Sequence, residues 1–413
     1  MRKPSSIMTA ALALIAVATL IAATRAAAQT ETVLYSFDYK NEGAYAPWLS
    51  LTFDAAGNLY GTAQFGGSAH GGEIFELTPN SGGGWTTKII FDFKNGTEGL
   101  TPNSGLAVDA AGNMYGTTFS GGFEYLGAAY ELSPNSDGSW TEKVLHYFGK
   151  TPSDGQIPAA GMVLDSAGNL YGTTEVGGTN KTGTLFELSP KSGGTWTEKV
   201  LYNFGPGGGT DGANPQSGLI FDAAGNLYGE TERGGANNGG TVFKLSPQSG
   251  GGWTESVLYS FSYYSEPSGS LIFDSKGNLY GTTGEGGANG FGSAFELSPG
   301  AGGTWTEKTL HNFSNGEDGF NVFTGLTFDK SGNLYGVTMS GGAYCGVNGC
   351  GTVFKLTPEA GGNWTKSTLF SFDGTDGSGP GWGSLIFDSS GNLYGGAGGG
   401  GAYRGGVVFE ITP

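Results

Sequence analysis

Six of the seven segments that link similar units of the chain carry an acidic residue followed by glycine, and these acids have the chemistry of cation ligands. They are Glu42, Glu98, Asp154, Asp211, Asp318 and Asp376. Carboxylate oxygens are the ligands that Ca²⁺ prefers in proteins. Four of these residues, Asp154, Asp211, Asp318 and Asp376, are therefore candidates for binding calcium or a cationic ligand. Asp-Gly and Glu-Gly are also common turn sequences, and their regular spacing favours that simpler alternative.

A second candidate set combines aromatic and polar side chains. It occupies the position six residues before each of seven similarly placed aspartates and consists of Trp48, Asn103, Ala159, Gln216, Ser268, Phe323 and Trp382. Aromatic planes beside polar groups suit sugars, because the apolar faces of sugar rings pack on aromatic rings. We predict a ligand-binding site formed by the residues Trp48, Phe323, Trp382, Asn103 and Gln216. The alternative is that the large rings only pack together and close the fold.

The residues that usually carry catalysis are sparse. The chain has three histidines, His70, His146 and His311, and lacks the HExxH, GxSxG and phosphate-loop patterns. His146 and His311 stand where other repeats have tyrosine, so we interpret them as sheet residues. We assign no catalytic residue. A hydrolase or lyase that gathers single residues from several repeats around a calcium ion stays open as an alternative function.

The two cysteines, Cys345 and Cys350, are five positions apart in sequence and have no neighbouring histidine to complete a metal site. We predict a disulfide between them, since an exported protein folds in an oxidising compartment. The small loop that they close gives such a bond modest stabilising value.

A repeated unit must position all of these residues. The pattern Asp-x-x-Gly-Asn-Leu-Tyr, with Met114 as its one variation, occurs seven times, at glycines spaced 52 to 59 residues apart. Each unit contains four short runs rich in β-branched and aromatic residues, bounded by turn residues, which is typical of strands. Four antiparallel strands repeated radially form a propeller blade. We predict an all-β fold, a seven-bladed β-propeller of four-stranded blades.

The two ends of the chain predict how the ring closes. The last unit ends after its third strand, and the missing fourth strand is supplied by residues 32–37 near the N-terminus. We therefore expect one propeller domain over residues 29–413. The predicted blades are 47–93, 103–148, 159–204, 216–261, 268–313, 323–372 and 382–413 with 31–37.

The lengths of the connections indicate which face is functional. The hairpins that join the first two and last two strands have constant length, whereas the blade-to-blade links vary. The loop between the second and third strands is longer only in the sixth unit, where it carries the cysteines. These variable connections emerge on one face of an antiparallel blade, and binding residues concentrate on such loops. Six tryptophans at one equivalent strand position are instead expected to pack between blades.

Residues 1–28 are interpreted as a signal peptide, because a basic start and an apolar run precede Ala26-Ala27-Ala28. The protein is then secreted or periplasmic. Its formal net charge of −17 argues against binding nucleic acid or an anionic membrane. We expect no membrane insertion, a monomer, and no cofactor other than the calcium considered above.

The units resemble a known family. The segments Phe221-Asp222-Ala223-Ala224-Gly225-Asn226-Leu227-Tyr228-Gly229, Gly240-Thr241-Val242-Phe243-Lys244-Leu245 and Trp196-Thr197-Glu198-Lys199-Val200-Leu201 are similar to the GloVer (Gloeo_Verruco) tandem repeat of exported bacterial proteins. The resemblance covers residues 31–413 and implies export and a propeller-like repeat, with no assigned activity. The first segment alone is more weakly similar to NHL and gluconolactonase-type propellers. Some members of the resembled family end in an anchoring segment; its absence after Pro413 favours release.

The sequence thus predicts a secreted, non-enzymatic propeller that binds an extracellular ligand, a glycan or a protein, through its variable face. The calcium-dependent hydrolase or lyase is one alternative. A structural or adhesive surface protein is another.

Overall fold

The computed structural model describes residues 29–38, 50–94, 96–205 and 209–412. The predicted signal peptide, Glu42 and Trp48 lie outside these residues. Seven antiparallel sheets follow one another along the chain, six with four strands and one, in blade 2, with a fifth strand added to its four. The prediction of an all-β, seven-bladed propeller is confirmed.

Each blade has a short first strand, two longer middle strands and a long last strand. The first strands are Thr52–Phe53, Ala107–Val108, Val163–Leu164, Ile220–Phe221, Ile272–Phe273, Thr327–Phe328 and Ile386–Phe387. The second strands are Leu59–Ala63, Met114–Ser120, Leu170–Thr174, Leu227–Thr231, Leu279–Thr283, Leu334–Thr338 and Leu393–Ala397. The third strands are Glu73–Pro79, Ala128–Pro134, Thr184–Pro190, Thr241–Pro247, Ser293–Pro299, Thr352–Pro358 and Arg404–Thr412. The last strands are Trp85–Asp92, Trp140–Tyr147, Trp196–Asn203, Trp253–Ser260, Trp305–Asn312, Trp364–Ser371 and, in blade 7, Thr30–Asp38.

Short additional elements lie in the links and loops on the variable face and in one hairpin. The added strands are Leu100–Pro102, Gly155–Gln156, Val176–Gly177, Gly212–Ala213 and Arg233–Gly234. The 3-10 turns are Phe123–Tyr125, Ala301–Gly303, Gly316–Asp318 and Gly346–Asn348.

The N-terminal strand closes the ring. It pairs antiparallel with the last strand of the chain, with Thr30 opposite Thr412 and Val33 opposite Phe409. Its Phe37 is fully buried between blade 7 and blade 1. Burial of such a ring stabilises the closure by about 1.5–3 kcal/mol, and pairing both ends removes the exposed strand edges that favour aggregation.

The blades pack through a repeated aromatic contact. Tyr171 of blade 3 meets Trp253 of blade 4 edge-on, with 6.2 Å between ring centroids. The glycine after each such tyrosine makes room for the third strand: a Cβ on Gly229 would lie 2.8 Å from Phe243 Cζ. The repeated sequence Leu-Tyr-Gly is therefore required by the packing of the core.

The Asp-x-x-Gly-Asn turns hold themselves together. Asp222 Oδ1 accepts hydrogen bonds from the backbone nitrogens of Ala224 and Asn226, both at 2.9 Å. Its Oδ2 accepts from Asn226 Nδ2 at 2.6 Å and from the Tyr228 hydroxyl at 3.0 Å. Gly225 has a φ of 81°, which favours glycine. Asp222 therefore caps its own turn.

Candidate functional site

An axial cavity of about 500 Å³ is lined by residues of six blades. The chain enters each first strand beside this axis through a column of glycine and serine. These small residues are needed because neighbouring entries touch: a Cβ on Gly161 would lie 3.0 Å from the carbonyl oxygen of Gly105. The backbone nitrogen of Ser384 donates to Ser50 Oγ at 3.2 Å, which joins blade 7 to blade 1. The cavity therefore belongs to the ring as a whole.

One wall of the axial region is aromatic. Phe323 of blade 6 and Trp382 of blade 7 stack with their centroids 5.0 Å apart and their planes 7° from parallel. Trp382 lines the cavity and stays 39% exposed. Its φ of 69° is rare for a bulky side chain and costs about 1–3 kcal/mol. Such strain is typical of positions where a side chain is held ready for a ligand.

Blades 3 to 5 contribute a polar and acidic group of residues. Gln216 Nε2 donates to Glu232 Oε2 at 2.6 Å, and Arg233 Nε lies 3.2 Å from Glu232 Oε1. Burial, and then the charge of Glu232, raise the pKa of Glu175, while Gln216 and Arg233 act in the opposite direction. Burial, followed by Glu285 and Glu232, raises the pKa of Glu266. The three carboxyl groups thus interact with one positively charged group, the guanidinium of Arg233.

The structure places four of the five predicted ligand-binding residues at or beside the cavity. Asn103, Gln216 and Trp382 line it, and Phe323 stacks on Trp382. Ala159 and Ser268 of the same column also line it. Trp48, the fifth predicted residue, lies outside the described residues. The role of this group in binding stays a prediction.

The sequence reading did not single out Phe119, Glu175 and Glu232. They occupy one column, ten residues after each turn aspartate, whose members are Gln64, Phe119, Glu175, Glu232, Gly284, Met339 and Gly398. The sequence could have identified this column, because its residue types differ between repeats as much as those of the column that holds Phe323 and Trp382. Gln64, Phe119 and Glu175 line the cavity.

The four predicted metal ligands lie at different junctions between blades, each with its own neighbours. Asp154 contacts His146 Nε2 at 3.2 Å and accepts from the Lys150 backbone nitrogen at 3.1 Å. The hydroxyl of Tyr202 donates to Asp211 Oδ2 at 2.8 Å.

The other two predicted ligands sit at junctions of different composition. Asp318 lies 3.1 Å from both His311 Nε2 and Lys366 Nζ. Burial opposes its ionisation, but His311 and Lys366 hold the pKa of Asp318 well below its usual value. Asp376 accepts from the backbone of Asp373 at 2.8 Å.

A glutamate of the last strand faces most of these junctions. Burial raises the pKa of Glu142, Glu198, Glu255 and Glu31 to about 7 each. The link acids Glu98, Asp154, Asp211 and Asp376 add to this effect. Each of the four glutamates has a buried oxygen with no hydrogen-bond partner among the described residues. The two histidines that we interpreted as sheet residues lie in strands, and they also contact link acids, which the strand register alone did not reveal.

Cys345 and Cys350 form a disulfide, as predicted. It closes the extended loop between the second and third strands of blade 6. Among the described residues, no helix is long and apolar enough to cross a membrane.

Comparison with known proteins gives a family match and distant structural similarities. The chain matches the family model described as the Gloeobacter/Verrucomicrobia repeat over residues 18–204, 136–346 and 306–413. No curated protein matches it.

Several solved structures are similar at low identity. An ancestral GH74 enzyme is 12% identical with a TM-score of 0.57; the match covers 89% of this chain and 47% of that enzyme. A gluconolactonase from Xanthomonas campestris is 14% identical with a TM-score of 0.41, over 93% of this chain and 89% of the other. A protein of unknown function from Dyadobacter fermentans is 12% identical with a TM-score of 0.40, over 93% and 98%. At these identities the similarity concerns the fold alone.

Proposed function

The chain belongs to the Gloeobacter/Verrucomicrobia repeat family, and we propose that this member is an exported, non-enzymatic protein that binds a neutral saccharide in its axial cavity. The stacked pair Phe323–Trp382 at the wall of a polar cavity is the observation that carries the proposal. Export is supported by the disulfide, since such bonds persist in oxidising compartments.

The cavity has the size and lining that a saccharide needs. Its volume of about 500 Å³ is within the usual range for small-molecule sites. Asn103, Gln64 and Gln216 supply neutral amide donors and acceptors, while Phe119 and Trp382 supply aromatic surface. Ring faces and hydroxyl groups of a sugar match this combination of aromatic planes and amides.

The charge of the region selects against anions. Glu175 lines the cavity, Glu232 and Glu266 lie beside it, and Arg233 is already paired with Glu232. A phosphorylated or carboxylated ligand would meet carboxylates of like charge with no free cation among these residues. A neutral sugar avoids this repulsion and can donate its hydroxyl hydrogens to the carboxylates.

The test measures intrinsic tryptophan fluorescence of the protein against a panel of neutral oligosaccharides. We expect a saturable response that the variant Trp382→Ala weakens at least about fivefold, because stacking is worth about 0.5–1.5 kcal/mol. The variant Trp253→Phe, which alters a tryptophan packed between blades, is the matched control and should keep wild-type affinity. An unchanged affinity in Trp382→Ala, or no response to any sugar, contradicts the proposal.

A second candidate function is glycoside hydrolysis or a lyase reaction, and the pair Glu175–Glu232 favours it. Burial and Glu232 raise the pKa of Glu175, which suits a general acid, and Glu232, 3.2 Å from Arg233 Nε, is the candidate base. For an enzyme, Glu175→Gln would retain saccharide affinity and abolish turnover. Release of no product from any bound oligosaccharide would exclude this candidate.

A further inference from the structure

The junctions between neighbouring blades are built from three equivalent positions. Three side chains meet there. The first is the seventh residue of one blade's last strand, the second is an acid of the link that follows, and the third is the third residue of the following blade's last strand. At the junction of blades 2 and 3 these are His146, Asp154 and Glu198. At the junction of blades 5 and 6 they are His311, Asp318 and Lys366. The two junctions share the imidazole and the aspartate and differ in the third group.

Both imidazoles are oriented in the same way. The ring of His146 meets Phe148 edge-on, with centroids 4.9 Å apart and an interplanar angle of 80°. His311 meets Phe313 at 4.8 Å and 83°. In each case Nε2 points at the link aspartate, at 3.2 Å for Asp154 and 3.1 Å for Asp318. The imidazole–carboxylate arrangement is therefore the same at both junctions.

At blades 5 and 6 the third position carries its own cation. The Lys366 ammonium lies 3.1 Å from Asp318 Oδ1 and also donates to the backbone carbonyl of Asp318 and to the Thr368 hydroxyl. Its side chain is only 5% exposed. A positive charge thus occupies the space between the link aspartate and the next blade.

At blades 2 and 3 the same space is bounded by carboxylates. Asp154 is 4% exposed, and Glu198 takes the place of Lys366. Glu198 Oε1 is buried and has no hydrogen-bond partner among the described residues. One ligand atom each of His146, Asp154 and Glu198 lies within 4.8 Å of the other two. This separation lets one ion contact all three after small side-chain movements, since Zn–N and Zn–O bonds are about 2.0–2.2 Å long.

We propose that His146, Asp154 and Glu198 bind a Zn²⁺ ion that links blade 2 to blade 3, in the place where Lys366 links blade 5 to blade 6. An imidazole with two carboxylates is a donor set that suits zinc, whereas calcium takes oxygen ligands only. Three protein ligands leave the fourth tetrahedral position to water. The site lies at a junction between last strands, apart from the residues that line the axial cavity, so it does not depend on the proposed saccharide binding.

Calorimetric titration of the metal-free protein with Zn²⁺, with unfolding temperature as a second readout, tests the proposal. We expect one Zn²⁺ per chain and a raised unfolding temperature in its presence. His146→Phe, which installs the residue found at the equivalent positions 91 and 370, should weaken binding at least tenfold. Glu198→Lys should abolish it and supply the positive charge that blades 5 and 6 already have.

The reciprocal variant Lys366→Glu distinguishes loss of a site from loss of folding. It gives blades 5 and 6 the same three groups as blades 2 and 3, so we expect two Zn²⁺ ions per chain. Co²⁺ bound in place of Zn²⁺ should give visible absorption bands that His146→Phe removes from the wild type. The proposal fails if wild-type protein binds Ca²⁺ and not Zn²⁺, binds no metal, or binds Zn²⁺ equally after Glu198→Lys.

Discussion

The turn aspartates and the last-strand glutamates at the blade junctions are both repeated around the ring, yet their surroundings act on them in opposite directions. Each turn aspartate accepts hydrogen bonds from its own turn, as Asp222 does from Ala224, Asn226 and Tyr228. Burial alone would raise the pKa of Asp222, but these hydrogen bonds lower it. For the last-strand glutamates burial prevails, and the pKa of Glu255 rises to about 7.

This difference shows how one repeat serves two purposes. The turn satisfies its carboxylate locally, so every blade can keep the same residues without help from its neighbours. A junction depends on two blades, and its groups differ from place to place: lysine, histidine, tyrosine and phenylalanine all occur there. Positions that must be satisfied across a junction are therefore where the repeats diverge.

Removal of a turn carboxylate is expected to have the largest effect. Asp222→Ala deletes the acceptor of four hydrogen bonds, at 2.6 to 3.0 Å, and leaves the Tyr228 hydroxyl without its acceptor. We expect a loss of about 3 kcal/mol in the free energy of unfolding, measured by urea denaturation. Asp222→Asn keeps an acceptor for the two backbone nitrogens and should lose less. If both variants unfold like wild type, the turn does not depend on its carboxylate.

Replacement of a buried acid that has no hydrogen-bond partner should have the opposite effect and increase stability. Glu230 is fully buried, and neither of its oxygens has a hydrogen-bond partner among the described residues. Burial raises its pKa well above the usual value. The equivalent residue of blade 3, Thr173, donates to the carbonyl oxygen of Ser217 in the next blade, with 3.4 Å between the two oxygens.

We therefore expect Glu230→Thr to stabilise the protein by about 1–3 kcal/mol at neutral pH, because it removes an unsatisfied buried acid. Thermal unfolding at pH 7 measures the effect. Thr173→Val, which deletes the equivalent hydroxyl in blade 3, is the matched control and should destabilise by about 1 kcal/mol. A lower unfolding temperature for Glu230→Thr would mean that the glutamate has a stabilising partner.

The sequence predicted the repeated part of this molecule more fully than the divergent part. Blade number and strand composition follow from Asp-x-x-Gly-Asn-Leu-Tyr and its spacing, since these features are repeated in every unit, and ring closure follows from the last unit, which ends after its third strand. The column of Asn103, Gln216, Phe323 and Trp382 could be aligned in the same way. The contacts of Lys366 with Asp318 and of Gln216 with Glu232 could not be predicted, because they depend on side-chain positions across loops of unequal length.

The smallest of the expected effects tests the junction side of the comparison through its pH dependence. Glu255 faces Asp211, and Tyr202 donates to the same aspartate. Since the pKa of Glu255 is about 7 when folded and 4.5 in its unperturbed state, the folded protein binds the proton more tightly than the unfolded chain. Its stabilising contribution is therefore complete below about pH 4.5 and is lost as the pH rises through about 7. The unfolding temperature of wild type should fall between about pH 5 and pH 8, and Glu255→Gln should make that fall shallower by removing one titrating group.

Glu359→Gln makes the same charge change at an exposed turn and should leave the slope as it is in wild type. Equal slopes in all three proteins would show that the charges of Asp211 and Glu255 are already balanced by neighbouring groups. This junction would then resemble the turns, whose aspartates are satisfied by their own hydrogen bonds.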